Sequence, residues 1–157
     1  MIKDVFISIV SYYFFNISEY LLHEFSHSIK YGGYMYEWHH KHHVIEYPPN
    51  RLVSKEYSSA PYYENFYSYF ILLWIFTIYQ FLNPYYFKLL SCEVVSYGFI
   101  VDQLHQQYHL ENSLLERFKW FQKKKAKHLL HHKQMHLNYN LMDNTSDKIF
   151  NTYKEES

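Results

Sequence analysis

One cysteine, three glycines and four prolines in 157 residues leave little material for a stapled or loop-rich fold. Cys92 alone makes no internal disulfide and no thiolate zinc cluster. The scarcity of glycine and proline argues against a disordered or turn-dominated chain. An excess of charge is missing too: 15 Lys+Arg balance 15 Asp+Glu. Global electrostatics therefore give no support to a nucleic-acid or strongly acidic partner. The N-terminus lacks the ordered basic region, apolar core and small-residue cleavage site of a secretory signal, so no cleaved leader is expected. The length suits a single domain over residues 1–157.

What the chain has in plenty is aromatic side chains, 22% of residues, with 19 tyrosines and 13 phenylalanines. The mean hydropathy of -0.39 looks soluble, but the polar residues are concentrated away from three apolar stretches. Residues 5–22 are just long enough for a bilayer crossing, which needs roughly 20 residues, with Asn16 and Glu19 expected at the interface or against another helix. Residues 62–82 read as the clearest membrane segment, with tyrosine-rich ends. After a turn at Asn83-Pro84, residues 85–101 return with Lys88 and Glu93 as their only charges. The two form a helical hairpin. Gly32-Gly33 predicts a turn between two short helices, and Pro48-Pro49 ends the second. Glu111 to Lys127 reads as one amphipathic helix with Leu114, Leu115, Phe118, Trp120 and Phe121 on its apolar side, suited to a membrane surface. The sequon Asn144-Thr145-Ser146 falls on the cytoplasmic side of this topology, where it goes unused.

All 12 histidines fall in the polar zones flanking that hairpin. His23 and His27 are spaced i, i+4; His39, His42 and His43 are spaced i, i+3, i+4. His105 with His109, then His128, His131 and His132, repeat the pair and the triple in the same order. On a helix these spacings share a face. Crossing segments put both zones on one side of the membrane. Lys41, Arg51, Lys55 and the Lys123-Lys124-Lys125 run make that side cytoplasmic by the positive-inside rule. Ten imidazoles divided between two metal ions give five each, with a position left open on a six-coordinate ion. Aligning the copies pairs His40 with Leu129, so His40 is not expected to be a ligand. The predicted fold is all-α: an integral-membrane helical protein with a histidine-rich cytoplasmic di-metal cap.

This pattern, with Asp102 three residues before His105, resembles the fatty acid hydroxylase/sterol desaturase superfamily. Pro49-Asn50-Arg51-Leu52-Val53 and the run from His136 through Asn140, Asp147 and Phe150-Asn151-Thr152 look most like its fatty acid 2-hydroxylase branch. The chain departs from that branch in the spacing of its first pair, and in Asn140, Ser146 and Asn151 where glycine, tryptophan and glycine are usual. The resemblance implies two iron ions, with zinc an occupant of the isolated protein, and dioxygen-dependent hydroxylation of a fatty acyl chain, as in ceramide 2-hydroxylation. It implies a lipid substrate, an external electron donor such as cytochrome b5 with its reductase, and the endoplasmic reticulum membrane. Asp102 and His136 are expected to touch the ligands or the substrate rather than the metals. Dimerisation is one way for so short a chain to enclose a lipid. A carotenoid-ring hydroxylase, a sterol oxidase or desaturase, and a non-catalytic zinc-binding membrane protein remain as alternatives.

Overall fold

The computed structural model describes residues 2–58 and 66–155. Among the described residues six α-helices follow in order: α1 (Ile2–Ser26), α2 (Tyr34–Lys41), α3 (Phe66–Tyr79), α4 (Pro84–Tyr108), α5 (Lys119–Lys133) and α6 (Thr145–Ile149). A π-helical turn, His42–Glu46, continues α2, and a 3-10 turn, Leu114–Arg117, precedes α5. Among the described residues there are no strands, and one isolated bridge joins Ser54 to Leu110. The chain divides into two compact units. One takes α1 through Phe15, α3, and α4 through Asp102; the other takes Asn16–Ser58 and everything from Gln103 onward.

In the first unit the aromatic residues do the packing. Phe14 stacks on Trp74 with ring centroids 4.7 Å apart, and Phe15 meets Trp74 edge-on and Tyr97 at a tilt. Gly98 sits where α3 and α4 pass closely: a Cβ there would lie 2.4 Å from Ile71 Cδ1. Ser8 donates to Glu93 at 2.5 Å, which partners the one acid of the 85–101 stretch. Asn83 starts α4 by accepting from the N–H groups of Tyr85 and Tyr86 at 3.1 Å, with Pro84 at the first helical position. Ile2, Val5, Phe6 and Ile9 on α1, Leu72, Leu73 and Phe76 on α3, and Phe99 on α4 are exposed. So much outward apolar surface is unusual for a water-soluble fold.

Several sequence expectations are corrected. Among the described residues, α1, at 25 residues, is long and apolar enough to cross a membrane. The 62–82 stretch yields α3 of 14 residues, about 21 Å of helix, while residues 62–65 lie outside the described residues. Backbone turns at Gln80 and Leu82 close α3 before Asn83. Both 25-residue helices run past their apolar stretches, so His23 and His105 are extensions of α1 and α4 rather than members of separate short helices. The turn at Gly33, where φ is 50°, thus joins one long helix to one short one. Glu111 to Lys127 is not one amphipathic helix. It breaks at Phe118, which is extended, and leaves Leu114 83% exposed while Phe121 is fully buried.

Asn16 and Glu19 are buried. In the second unit Asn16 Oδ1 accepts from the Ser146 hydroxyl at 2.6 Å, and its carbonyl accepts from Asn140 Nδ2 at 2.9 Å. Glu19 accepts from the Leu141 N–H at 2.5 Å. These polar residues dock the C-terminal segment onto α1.

Candidate metal centre

Four helix ends supply the imidazoles. His23 ends α1, and His27 follows in the turn after it. His39 lies in α2, His42 and His43 open the π-helical turn, and α4 ends with His105 just before His109. His128, His131 and His132 fill the last turns of α5. The ten gather into two groups of five: His23, His27, His39, His43 and His131; and His42, His105, His109, His128 and His132. Each group offers one nitrogen per residue, all within 4.8 Å of one another.

The triples are divided between the groups. The i and i+4 members of each stay with their own pair, while the i+3 member, His42 or His131, joins the other group. Helix geometry explains the exchange. At about 100° per residue, i and i+4 point about 40° apart, whereas i+3 and i+4 diverge by about 100°. Side chains aimed at two neighbouring points must separate in that way. The groups abut where His43 stacks on His132, centroids 3.9 Å apart.

Within each group the nitrogens crowd. Nε2 of His23, His27 and His43 each lie 3.0 Å from Nε2 of His39, and those of His27 and His131 are 3.1 Å apart. In the second group Nε2 of His128 is 2.8 Å from that of His109, and Nε2 of His105 is 3.1 Å from that of His42. Metal–imidazole bonds of about 2.0–2.1 Å set right-angle neighbours about 2.9 Å apart, and tetrahedral neighbours about 3.4 Å apart. The spacing matches the right-angle case.

The outer nitrogens fix the tautomers. Nδ1 of His23 donates to the Tyr139 carbonyl at 2.5 Å, and Nδ1 of His131 to that of Leu137 at 2.6 Å. Nδ1 of His109 donates to Leu52 at 2.8 Å, and Nδ1 of His132 to Tyr47 at 3.1 Å. Each such bond turns an Nε2 lone pair inward, the arrangement metal-binding histidines use. His132 Nε2 is buried with no protein partner, as an atom reserved for an ion would be.

Burial keeps the set neutral. It lowers the His27 pKa to about 2, with repulsion from neighbouring imidazoles adding to the effect. Burial likewise holds His132 at about 3, against the bond to Tyr47. His39, His42, His43, His128 and His131 are held well below 6.5, by burial first and nearby imidazoles second. A neutral imidazole is a ready ligand for iron, zinc or copper.

His40 is in neither group; it is exposed and stacks on Tyr36 at 5.2 Å. His136 is exposed and in neither group. Asp102 lies on α4 one turn before His105 and in neither group. Sequence reasoning missed Tyr47, which is 1% exposed. Its ring stacks on His109 at 3.9 Å, its carbonyl orients His132, and its hydroxyl accepts from the Ser58 N–H at 2.7 Å. It also missed Glu46, whose carboxylate lies 3.5 Å from His42 Nδ1. The i, i+4 spacing of that pair was a usable signal. The Arg51-Leu52-Val53 segment works through its backbone. Leu52 accepts from His109, and the Arg51 guanidinium caps the π-helical turn at Ile45 and Glu46, 3.3 and 3.4 Å away.

Helices that gather ten imidazoles, seven of them buried, into two abutting clusters define a class: all-helical proteins whose histidines could hold a pair of metal ions. Within that class the family is specific. The fatty acid hydroxylase family model matches residues 8–152, and the chain belongs to that family. The comparisons with curated proteins and with solved structures gave no match. The family is membrane-associated and typically metal-dependent, and carries oxidoreductase function of the lipid hydroxylase or desaturase type.

Proposed function

We propose that the protein is a multi-pass membrane enzyme that uses two iron ions and dioxygen to hydroxylate a fatty acyl chain, with ceramide-type lipids as the candidate substrate class. The observation that carries this reading is the pair of five-nitrogen groups, each within 4.8 Å overall, in which neighbouring nitrogens come to 2.8–3.1 Å. Structural zinc is almost always four-coordinate and tetrahedral, with neighbours about 3.4 Å apart. Five crowded imidazoles suit a six-coordinate ion with one position free, which favours an iron enzyme over a retained zinc site.

His23, His27, His39, His43 and His131 would hold one ion, and His42, His105, His109, His128 and His132 the other. When bound, the irons supply the oxidising power that an unactivated C–H bond demands, with electrons from an external donor such as cytochrome b5 and its reductase. The chain's own residues do the rest. Ten neutral imidazoles carry no charge of their own into the buried site. The carbonyls of Tyr139, Leu137, Leu52 and Tyr47 hold four rings in the productive tautomer. Tyr47, stacked on His109, excludes water from one side of the second cluster. The exposed apolar surfaces of α1, α3 and α4 suit a lipid surround, and the basic residues near the histidines favour the cytoplasmic face of the endoplasmic reticulum membrane. Dimerisation would extend the substrate enclosure.

The test is lipid mass spectrometry of cells expressing the wild type or His128→Ala, together with metal analysis of purified protein. The expected result is two irons per chain and a hydroxylated lipid lost in the variant. Bound zinc with an unchanged lipid profile would overturn the reading.

A further inference from the structure

Each cluster is oriented by its own stretch of backbone. The first cluster's imidazoles bond to carbonyls at Leu137 and Tyr139. The second cluster's bond to carbonyls at Tyr47 and Leu52. His131 follows this rule despite its origin: it leaves α5 beside His132, joins the first cluster, and takes its carbonyl from the C-terminal stretch.

The C-terminal stretch hangs on one carboxylate. Asp147 is fully buried. Its Oδ1 accepts from the Tyr139 N–H at 2.7 Å and the Thr152 hydroxyl at 2.8 Å, and its Oδ2 accepts from the Asn140 N–H at 3.0 Å. The Tyr139 peptide unit that meets His23 is thereby tied down one bond away from the carbonyl that does the work. Asn138, in the left-handed region at φ 53°, closes the loop through bonds of 2.9 Å to Lys154 in both directions. The 47–54 stretch is tied elsewhere, by the Ser54–Leu110 bridge and by Arg51 on the π-helical turn. Asp147 makes none of the bonds that tie it.

We propose that Asp147 is a positioning residue for the first metal position alone, and that the two positions are held with separately adjustable strength, the first by residues 137–152 and the second by residues 47–54. This rests on the metal-binding reading above. Loss of the group that orients a ligand typically weakens a metal about 10–100-fold, so the effect should fall on one ion and spare the other.

The experiment follows iron release from detergent-purified, Fe(II)-loaded full-length protein after addition of excess ferrous chelator. In Asp147→Asn, one of the two iron equivalents should leave about 10–100-fold faster, with the second at its wild-type rate. Thr152→Val removes a single bond to Asp147 and should speed the same phase less, which keeps the test decisive if Asp147→Asn does not fold. Adding His27→Ala to Asp147→Asn should leave one slowly released iron; adding His109→Ala should leave none. Both phases changing together, neither changing, or a slow iron surviving in the His109→Ala background would overturn the assignment. A wild-type chain that binds no metal would instead overturn the metal reading, and this proposal with it.

Discussion

His42 and His43 are neighbours in sequence yet belong to different clusters, and that division can be tested by subtraction. His43 is fully buried, so alanine forfeits one of five donors and opens a cavity. Losing a partner of a ligand already costs about 10–100-fold in metal affinity, so losing the ligand itself should cost more than about 100-fold at that position. His42→Ala should do the same at the other. His40→Ala, at an exposed ring, should change metal content not at all and stability by no more than about 0.5 kcal/mol. The assay is iron per chain by elemental analysis in paired variants. His42→Ala with His109→Ala removes two donors from one cluster and should leave one iron. His43→Ala with His27→Ala should also leave one. His42→Ala with His43→Ala strikes both clusters and should leave none. If that adjacent pair retained one iron while His42→Ala with His109→Ala lost both, the exchange of the i+3 histidines would be refuted.

The same burial predicts a pH dependence. His27, at about 2, and His132, at about 3, sit far below the unfolded value of 6.5. The unfolded chain therefore binds more protons below that value. Stability is complete above pH 6.5 and falls by about 1.4 kcal/mol per pH unit for each buried histidine as pH drops toward the folded values. Thermal unfolding of metal-free protein in detergent should show the midpoint dropping steeply between pH 7 and pH 5; a flat profile would contradict the neutral cluster. Asn16→Leu adds an apolar residue to an apolar helix but strips the acceptor from the Ser146 N–H and hydroxyl. It should destabilise by about 2–6 kcal/mol, at roughly 1–3 kcal/mol per orphaned group, and an unchanged or raised Tm would show that the tail is not docked there. Tyr47→Phe loses the bond from the Ser58 N–H and should cost about 0.5–1.5 kcal/mol. Tyr47→Ala removes the ring against His109 and should cost about 3–5 kcal/mol with loss of metal from the second position, measured by denaturation and elemental analysis.

The ten histidines were legible because their spacing is a local property: i, i+3 and i+4 are neighbours on any helix, whatever surrounds it. The start of α4 at Pro84 was legible for the same reason, since proline and the asparagine before it act on their own backbone. The lengths of α1 and α4 were less so, because hydropathy marks where apolar residues stop and not where helical hydrogen bonding stops. Asn16 and Glu19 looked like defects in an apolar stretch, and their acceptable burial depends on the Ser146 and Leu141 groups more than 100 residues away.

The sequence by itself determined that ten histidines come as two copies of a pair and a triple, and that helices present them. Only the tertiary structure decided which histidine serves which cluster. That choice depends on the angle between helices at their meeting point, and spacing along one helix does not contain it. Tertiary structure also decided that backbone carbonyls of Tyr47, Leu52, Leu137 and Tyr139 orient the rings. Every residue has a carbonyl, so a carbonyl's task leaves no mark in the sequence.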